Sequence, residues 1–255
     1  MSAVIKVPEL DIVVPVYNES NNIIPFLLAL KQAIHKTVFR VLICYDFDED
    51  TTLSAINEKS SLLQALNIQF VRNHGSGPHD AVTSGFQAAE ASAVLVMPAD
   101  DLQNAVIIER MMEALQKGAE VVCASRLMPG GTMRRCPLLK NVLVRFASLT
   151  LHYFAGLPTH DATNGFRMFS KKLLNVISIE STAGFTYSIE LTVKAHRLQK
   201  WIVEIPAHWM ERNEGKSRFK LLKWLAPYLR WYFYAFATTY LKWLFKLSAR
   251  YRHAK

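Results

Sequence analysis

The sequence of 255 residues predicts an α/β domain, a mixed and mostly parallel sheet flanked by helices, with a basic helical segment behind it. Three observations lead there. Short apolar runs alternate with stretches of helical periodicity up to about residue 125, the rhythm of a sheet wrapped by crossover helices. One of those runs, Ala93–Pro98, stops at the paired carboxylates Asp100 and Asp101. Positive charge gathers at one end: residues 212–255 hold 11 Lys or Arg and one acid, Glu214, whereas the rest hold 19 Lys or Arg and 20 acids.

Leu10–Val16 reads as the first strand, followed by a polar turn and a helix from Ile23 to His35. Val38–Tyr45 is the second strand and ends at Asp46. A helix over Leu53–Leu66 leads to a third strand, Ile68–Arg72. The loop Asn73–Pro78 contains Gly75-Ser76-Gly77, either a close approach to phosphate or sugar or a plain loop, and a helix follows over Asp80–Ala91. Ala93–Met97 is the fourth strand, Ala105–Lys117 a helix and Ala119–Ala124 the fifth strand. The rhythm then changes. Pro137–Leu157 reads as a long apolar and basic helix, Asp161–Phe169 as a polar-aromatic block, Tyr187–Leu191 as helical with Glu190 on its surface, and Ile202–Ile205 as a strand. The three cysteines have no CxxC spacing, which points to free thiols in a reducing compartment. Met1–Lys6 lacks the apolar core of a signal peptide.

Ligands of open α/β sheets bind beyond the carboxyl ends of the strands, so the side chains just after each apolar run are the candidate site. Asp100 and Asp101 there repel one another unless a cation lies between them, and hard oxygen donors suit Mg²⁺ or Mn²⁺. The same pair also suits a helix start at Leu102. Arg126, Arg134, Arg135, Arg212 and Arg218 are guanidinium forks that match phosphate geometry, or a solvated basic surface. Asn18-Glu19-Ser20 suits a helix cap as well as a ligand contact.

Five blocks in order resemble the motifs of family 2 glycosyltransferases. They are Val14–Glu19; Asp46 with Asp50-Thr51; Asp101-Leu102-Gln103; Asp161-Ala162-Thr163-Asn164-Gly165-Phe166-Arg167; and Glu204-Ile205-Pro206 with Arg212–Arg218. The last two resemble the dolichyl- or polyprenyl-phosphate mannosyltransferase branch. The resemblance spans about residues 10–220 and implies a GT-A-like fold. It implies that Pro15 and Tyr17 shape a base pocket, that Glu19 and Asp46 bond base or ribose, and that Asp101 and Gln103 hold the metal, with Asp100 supplying the acid the motif lacks at Ala99. A second departure puts Tyr45 where the turn motif has its first acid. Catalytic roles fall on Asp101, Arg126, Asp161, Arg212 and Arg218, with Asp161 and Arg167 expected as a buried ion pair that holds the acceptor loop. The implied partners are a nucleotide sugar and a polyprenyl phosphate or other glycolipid acceptor.

The C-terminal segment fits that acceptor. The catalytic domain is expected over 1–218 and a membrane-interface segment over 219–255. Its longest uncharged run, Trp231–Leu241, has 11 residues, too short for a membrane span of about 20 residues. Aromatic and studded with Lys and Arg, it fits helices lying on an anionic membrane surface, with Pro137–Leu157 as a second such element. The alternative for it is packing on its own domain or on a second subunit. The expected location is cytoplasmic and peripheral to the inner face of the membrane, and nucleic acid is not expected as a partner. Two rival functions remain: transfer to a glycan or glycolipid hydroxyl, which requires a base such as Asp161, and a catalytically degenerate binder of membrane or nucleic acid.

Overall fold

A computed structural model describes residues 7–210 and 226–241. In chain order these form β1 (Leu10–Pro15), α1 (Ser20–Ala33), β2 (Phe39–Tyr45), α2 (Thr51–Glu58), α3 (Ser60–Leu63), β3 (Asn67–Arg72), α4 (Pro78–Ala88) and β4 (Ala93–Val96). A 3-10 turn (Leu102–Ile107) leads into α5 (Ile108–Gln116), β5 (Val121–Ser125), β6 (Thr132–Arg134) and α6 (Leu138–Tyr153). Then come β7 (Arg167–Ser170), α7 (Lys171–Val176), α8 (Tyr187–Arg197), β8 (Ile202–Pro206), β9 (His208–Met210) and a last helix, α9 (226–241).

Seven strands make one sheet in the order β3-β2-β1-β4-β7-β5-β8, and β6 pairs with β9 in a small second sheet. β1, β2, β3 and β4 run parallel, as do β5 and β8, while β7 lies antiparallel between β4 and β5. The central strands are buried on both faces, which is why they read as continuous apolar runs. Ile12, Val14 and Leu95 join a core with α1 and α5, and Val13, Val94 and Val96 join a core with α4 and α8. A third cluster joins Leu151 of α6, Ile189 and Val193 of α8, and Trp231 and Ala235 of α9.

Three expectations are corrected. The strand β7 was hidden in the polar-aromatic block, because its four residues begin with Arg167, a charge that breaks the apolar run. The single helix over Leu53–Leu66 is two, α2 and α3, divided at Lys59. Glu190 is fully buried rather than on a helix surface. Its carboxylate accepts the backbone N–H groups of Glu180 (2.6 Å) and Ser181 (2.8 Å) and pairs with Lys194 at 2.7 Å. A buried carboxylate needs such donors, and here they tie the segment before α8 to the helix itself. The segments 1–6, 211–225 and 242–255, with Arg212, Arg218 and much of the basic tail, lie outside the described residues.

α4 sits close to the sheet because Gly85 has no side chain. A Cβ there would stand 2.3 Å from Val13 Cγ1 and 3.0 Å from Cys44 Sγ. Gly85→Ala gains about 1 kcal/mol of helix propensity, but overpacking costs about 1–3 kcal/mol. The expected outcome is a lower urea midpoint with an unchanged slope.

Candidate active site

The ends of β1, β2, β4 and β5 and the start of the antiparallel β7 all open on one edge of the sheet. On one side of that edge the loops after β1 and β2 are clamped together. Asp50 caps α2 by accepting Thr52 N–H (2.9 Å), and its two oxygens also accept Asn18 N–H (3.0 and 3.1 Å). Asn18 takes a left-handed backbone (φ 53°), which Asn tolerates, and its Oδ1 accepts Thr51 N–H. Glu19 N–H donates to Thr52 Oγ1 (2.9 Å), while Glu19 Oε2 accepts Asn22 Nδ2 (2.6 Å). Tyr17 is exposed beyond Pro15 and meets Phe47 edge to face at 5.4 Å, so two rings border the crevice. Asp46 lies at the same place, its Oδ1 bonded by Asn73 Nδ2 (2.6 Å) and its Oδ2 by Gly77 N–H (2.9 Å). Each oxygen retains acceptor capacity.

In the loop Gly75-Ser76-Gly77 the first two residues are exposed. Ser76 N–H donates to Asp80 Oδ2 and Gly77 N–H to Asp46, so these two amides already have carboxylate partners. Arg72 pairs with Asp48 at 2.6 Å on the surface. His79 is buried, and that burial lowers its pKa against the opposing charges of Asp80 and Glu190.

After β4 the chain passes Ala99, which packs in the core, and reaches Asp100 and Asp101. Asp101 Oδ1 accepts Asn104 Nδ2 at 2.5 Å, and Asn104 also exchanges two hydrogen bonds with the backbone of His208 (2.6 and 2.9 Å). The carboxylate loop is thereby fixed to β9. Burial pushes the Asp101 carboxyl up to about 8; Asn104 opposes the rise, Asp100 adds to it, and Arg126 opposes it. Gln103 Nε2 donates to His208 O (3.0 Å), which leaves Gln103 Oε1 as an acceptor. Among the described residues no three His, Cys, Asp or Glu side chains converge on a point. The donor set still fits a small hard cation. Mg²⁺ is commonly held by one or two carboxylates together with substrate phosphates rather than by an all-protein cage, and Asp101 is a half-buried acid that a cation would ionise.

Beyond β5 lies the densest polar cluster. Asp161 Oδ2 accepts both N–H (3.0 Å) and Nε–H (2.6 Å) of Arg126, and Asp161 Oδ1 accepts Arg126 NH2 (2.8 Å). Arg126 NH2 also reaches Thr163 Oγ1 (3.1 Å). The expected pairing of Asp161 with Arg167 is therefore corrected. Arg167 runs beneath, donating to the backbone oxygens of Asp161 (2.6 Å) and Ser188 (2.7 Å) and to Thr192 Oγ1. Burial opposes both charges of the Arg126–Asp161 pair, yet each partner outweighs it: the Asp161 pKa lies below the usual carboxylate range and that of Arg126 is raised. Asp161 is 0 % exposed. Arg126 NH1 has no hydrogen-bond partner among the described residues and is the edge left for a ligand.

Of the remaining sequence candidates, Arg134 ends β6 and Arg135 follows with a left-handed backbone (φ 56°). Two contributors were missed. Asn104 and Thr159 are buried and uncharged, and only their proximity to the Asp101 and Asp161 blocks marked them.

Comparison with known proteins follows the same edge. The family described as Glycosyl transferase family 2 matches residues 11–178. The chain is 27% identical over 229 residues to polyprenol monophosphomannose synthase of Mycolicibacterium smegmatis, covering 84% of this chain and 85% of that protein. It is 28% identical over 211 residues to undecaprenyl-phosphate mannosyltransferase of Micrococcus luteus, covering 81% and 85%. Its fold is similar to that of glucosyl-3-phosphoglycerate synthase of Mycobacterium tuberculosis solved with Mn²⁺, UDP-glucose and phosphoglyceric acid: TM-score 0.64, 15% identity, 88% of this chain and 80% of that one.

Two outcomes are expected from this geometry. Asp161→Asn leaves a buried guanidinium without its counter-charge and lowers stability by about 3–5 kcal/mol, read from chemical denaturation. Because the native Asp161 pKa is depressed, the contribution of this group is present above the unfolded value of about 4 and is lost as pH falls through the native pKa. The raised pKa of Asp101 has the opposite sign: near pH 7 the acid holds a proton that a cation displaces. Calorimetric titration with Mn²⁺ in buffers of differing ionisation enthalpy is expected to show close to one proton released at about pH 7 and almost none at about pH 9.5. Asp101→Asn removes that difference.

Proposed function

The chain belongs to glycosyl transferase family 2 and is a glycosyltransferase, and from that premise we propose that it transfers a hexose from a nucleoside diphosphate sugar to a polyprenyl phosphate at a membrane surface. The donor under this reading is GDP-mannose or UDP-glucose. The names of the relatives support the acceptor and mannose, and the bound ligands of the structural neighbour support a nucleoside diphosphate with a divalent cation, here Mg²⁺ or Mn²⁺.

The observation that carries the reading is the commitment of Asp161 to Arg126. Transfer to a hydroxyl needs a base beside the reacting oxygen, and a fully buried carboxylate with both oxygens on a guanidinium is poorly suited to that. An acceptor phosphate is already an anion and needs positioning rather than deprotonation. Arg126, whose NH1 has no hydrogen-bond partner among the described residues, is suited to hold a phosphate oxygen, since guanidinium matches phosphate geometry. The phosphate oxygen attacks the anomeric carbon, the bond from that carbon to the diphosphate breaks, and configuration inverts. Asp101, Asp100 and Gln103 would hold a divalent cation, whose charge offsets the charge that develops on the leaving diphosphate. Pro15, Tyr17, Glu19 and Asp46 would line the nucleoside side, with Arg212 and Arg218 adding charge toward the phosphates. Most of the rate enhancement then comes from orientation and fixed charge.

The membrane side of the proposal rests on α6 and α9. Leu138, Leu139, Val142, Phe146 and Tyr153 of α6 are exposed, as are Phe233, Tyr240 and Leu241 of α9. Among the described residues no helix is long and apolar enough to cross a membrane. Aromatic and aliphatic side chains on short helices, with Lys140, Arg145 and Arg230 among them, suit a layer lying at the lipid interface. The functional division runs between catalytic residues 1–218 and a membrane-facing segment 219–255, although α9 shares a core with α6 and α8. The proposed location is the inner face of a membrane.

The test is transfer of radiolabelled sugar from GDP-mannose, and separately from UDP-glucose, to a polyprenyl phosphate in the presence of Mg²⁺, Mn²⁺ or EDTA. Metal-dependent label in the organic phase is expected with one donor. Label that appears only on glycan hydroxyl acceptors refutes the lipid-phosphate reading.

A further inference from the structure

Behind the Arg126–Asp161 cluster runs a chain of hydrogen bonds that begins at the far edge of the sheet. Glu204 lies on β8, opposite Cys123 of β5. Its Oε2 accepts Thr159 Oγ1–H (3.1 Å) and His160 N–H (2.8 Å), and its Oε1 accepts His160 Nδ1–H (2.5 Å). Thr159 Oγ1 in turn accepts Asp161 N–H (3.1 Å). Asp161 then takes Arg126 at its backbone and side chain. Thr159 and Asp161 are both 0 % exposed.

The order of these bonds has a direction. A hydroxyl carries one hydrogen, and an ionised carboxylate only accepts. Glu204 therefore draws the Thr159 hydrogen toward itself, which turns an oxygen lone pair of Thr159 to the Asp161 amide. The Thr159 bond holds the Asp161 backbone, Thr163 Oγ1–H and Arg126 N–H hold its carboxylate, and the place of that carboxylate decides where the Arg126 guanidinium lies. A guanidinium on a long side chain has many rotamers to lose, and β5 fixes only its backbone. The restraint on its head group comes from residues 159–163.

We propose that Glu204 and Thr159 are positioning residues that aim the Arg126 guanidinium, from behind, at the phosphate oxygen it holds. Neither touches a ligand; both act through Asp161. The activity arm of the proposal rests on the glycosyltransferase reading above, whereas the geometric arm does not.

The experiment uses the full chain and two readouts. The first is hydrogen exchange at Arg126 Nε–H by ¹⁵N NMR, with the signal assigned by its loss in Arg126→Lys. The second is kcat and KM for transfer from the active sugar nucleotide to a polyprenyl phosphate. Thr159→Val cuts the chain with little change of shape, and Thr159→Ser keeps the hydroxyl. In Thr159→Val, exchange at Arg126 is expected to quicken about tenfold. Its kcat is expected to fall by about ten- to a hundredfold with the donor KM unchanged. Thr159→Ser is expected to recover both. A folded Thr159→Val with wild-type exchange and kcat overturns the proposal, as does a Thr159→Ser no better than Val. If Thr159→Val does not fold, Glu204→Gln, which leaves the buried hydroxyl in place, is measured against the same two outcomes. If the wild type transfers no sugar, the function reading fails and exchange at Arg126 alone decides whether the chain of bonds aims it.

Discussion

A guanidinium taken out of water is tolerated only where a carboxylate meets it closely and its other donors find partners. The Arg126–Asp161 pair meets the first part of that demand, with three short bonds between residues 35 apart in sequence and a further donor taken by Thr163, while NH1 has no partner among the described residues. Much of the site follows from that pair. It holds the loop before β7 against the end of β5, and it pulls a carboxylate away from base chemistry while leaving a fixed positive edge. Arg167 supports the arrangement from beneath by holding the Asp161 carbonyl to α8. On the other side of the edge, Asp101 is an acid that burial discourages from ionising alone. The buried Asp161 is satisfied within the protein, whereas the half-buried Asp101 is suited to a cation brought from outside.

The first five strands were legible because burial on both faces leaves runs such as Val41–Cys44 and Ala93–Val96 without interruption. The carboxyl-end residues were legible for the same reason: a polar residue directly after such a run stands at the edge where ligands bind. Partner choice was not legible. Asp161 had two arginines within reach of its block, and composition cannot say that Arg126 takes the carboxylate and Arg167 the carbonyl. Strand β7 was lost because Arg167, expected in a buried ion pair of a loop, opens a strand of four residues and breaks its apolar run. Glu190 was misjudged because its i,i+4 partner Lys194 suits an exposed helix face equally well, and the backbone amides that bury it carry no sequence signal. Asn104 and Thr159 brace charged groups without being charged.

The third core cluster changes how the C-terminal end is understood. Arg197 of α8 donates to Ala235 O (2.7 Å) and to the hydroxyls of Thr238 and Thr239. Thr150 and Tyr232 share a hydrogen bond at 2.9 Å, and Tyr240 donates to Phe154 O. These bonds and the burial of Trp231 fasten α9 along α6, so the exposed aromatic side chains of both helices belong to one continuous part of the molecule. An apolar surface attached in this way moves with the catalytic edge instead of trailing behind it on a linker.

The position of β7 in the sheet has a consequence for assembly. The block β3-β2-β1-β4 is complete by Val96 and carries both the clamped crevice loops and the paired carboxylates; the block β5-β8 carries Arg126 and Glu204. Among the described residues no strand pairing joins these blocks except through β7, which runs against both neighbours. β7 lies between them in the sheet, although β8 of the second block follows it in the chain. The loop just before β7 carries Asp161, so pairing with both neighbours sets Asp161 between the two halves of the site.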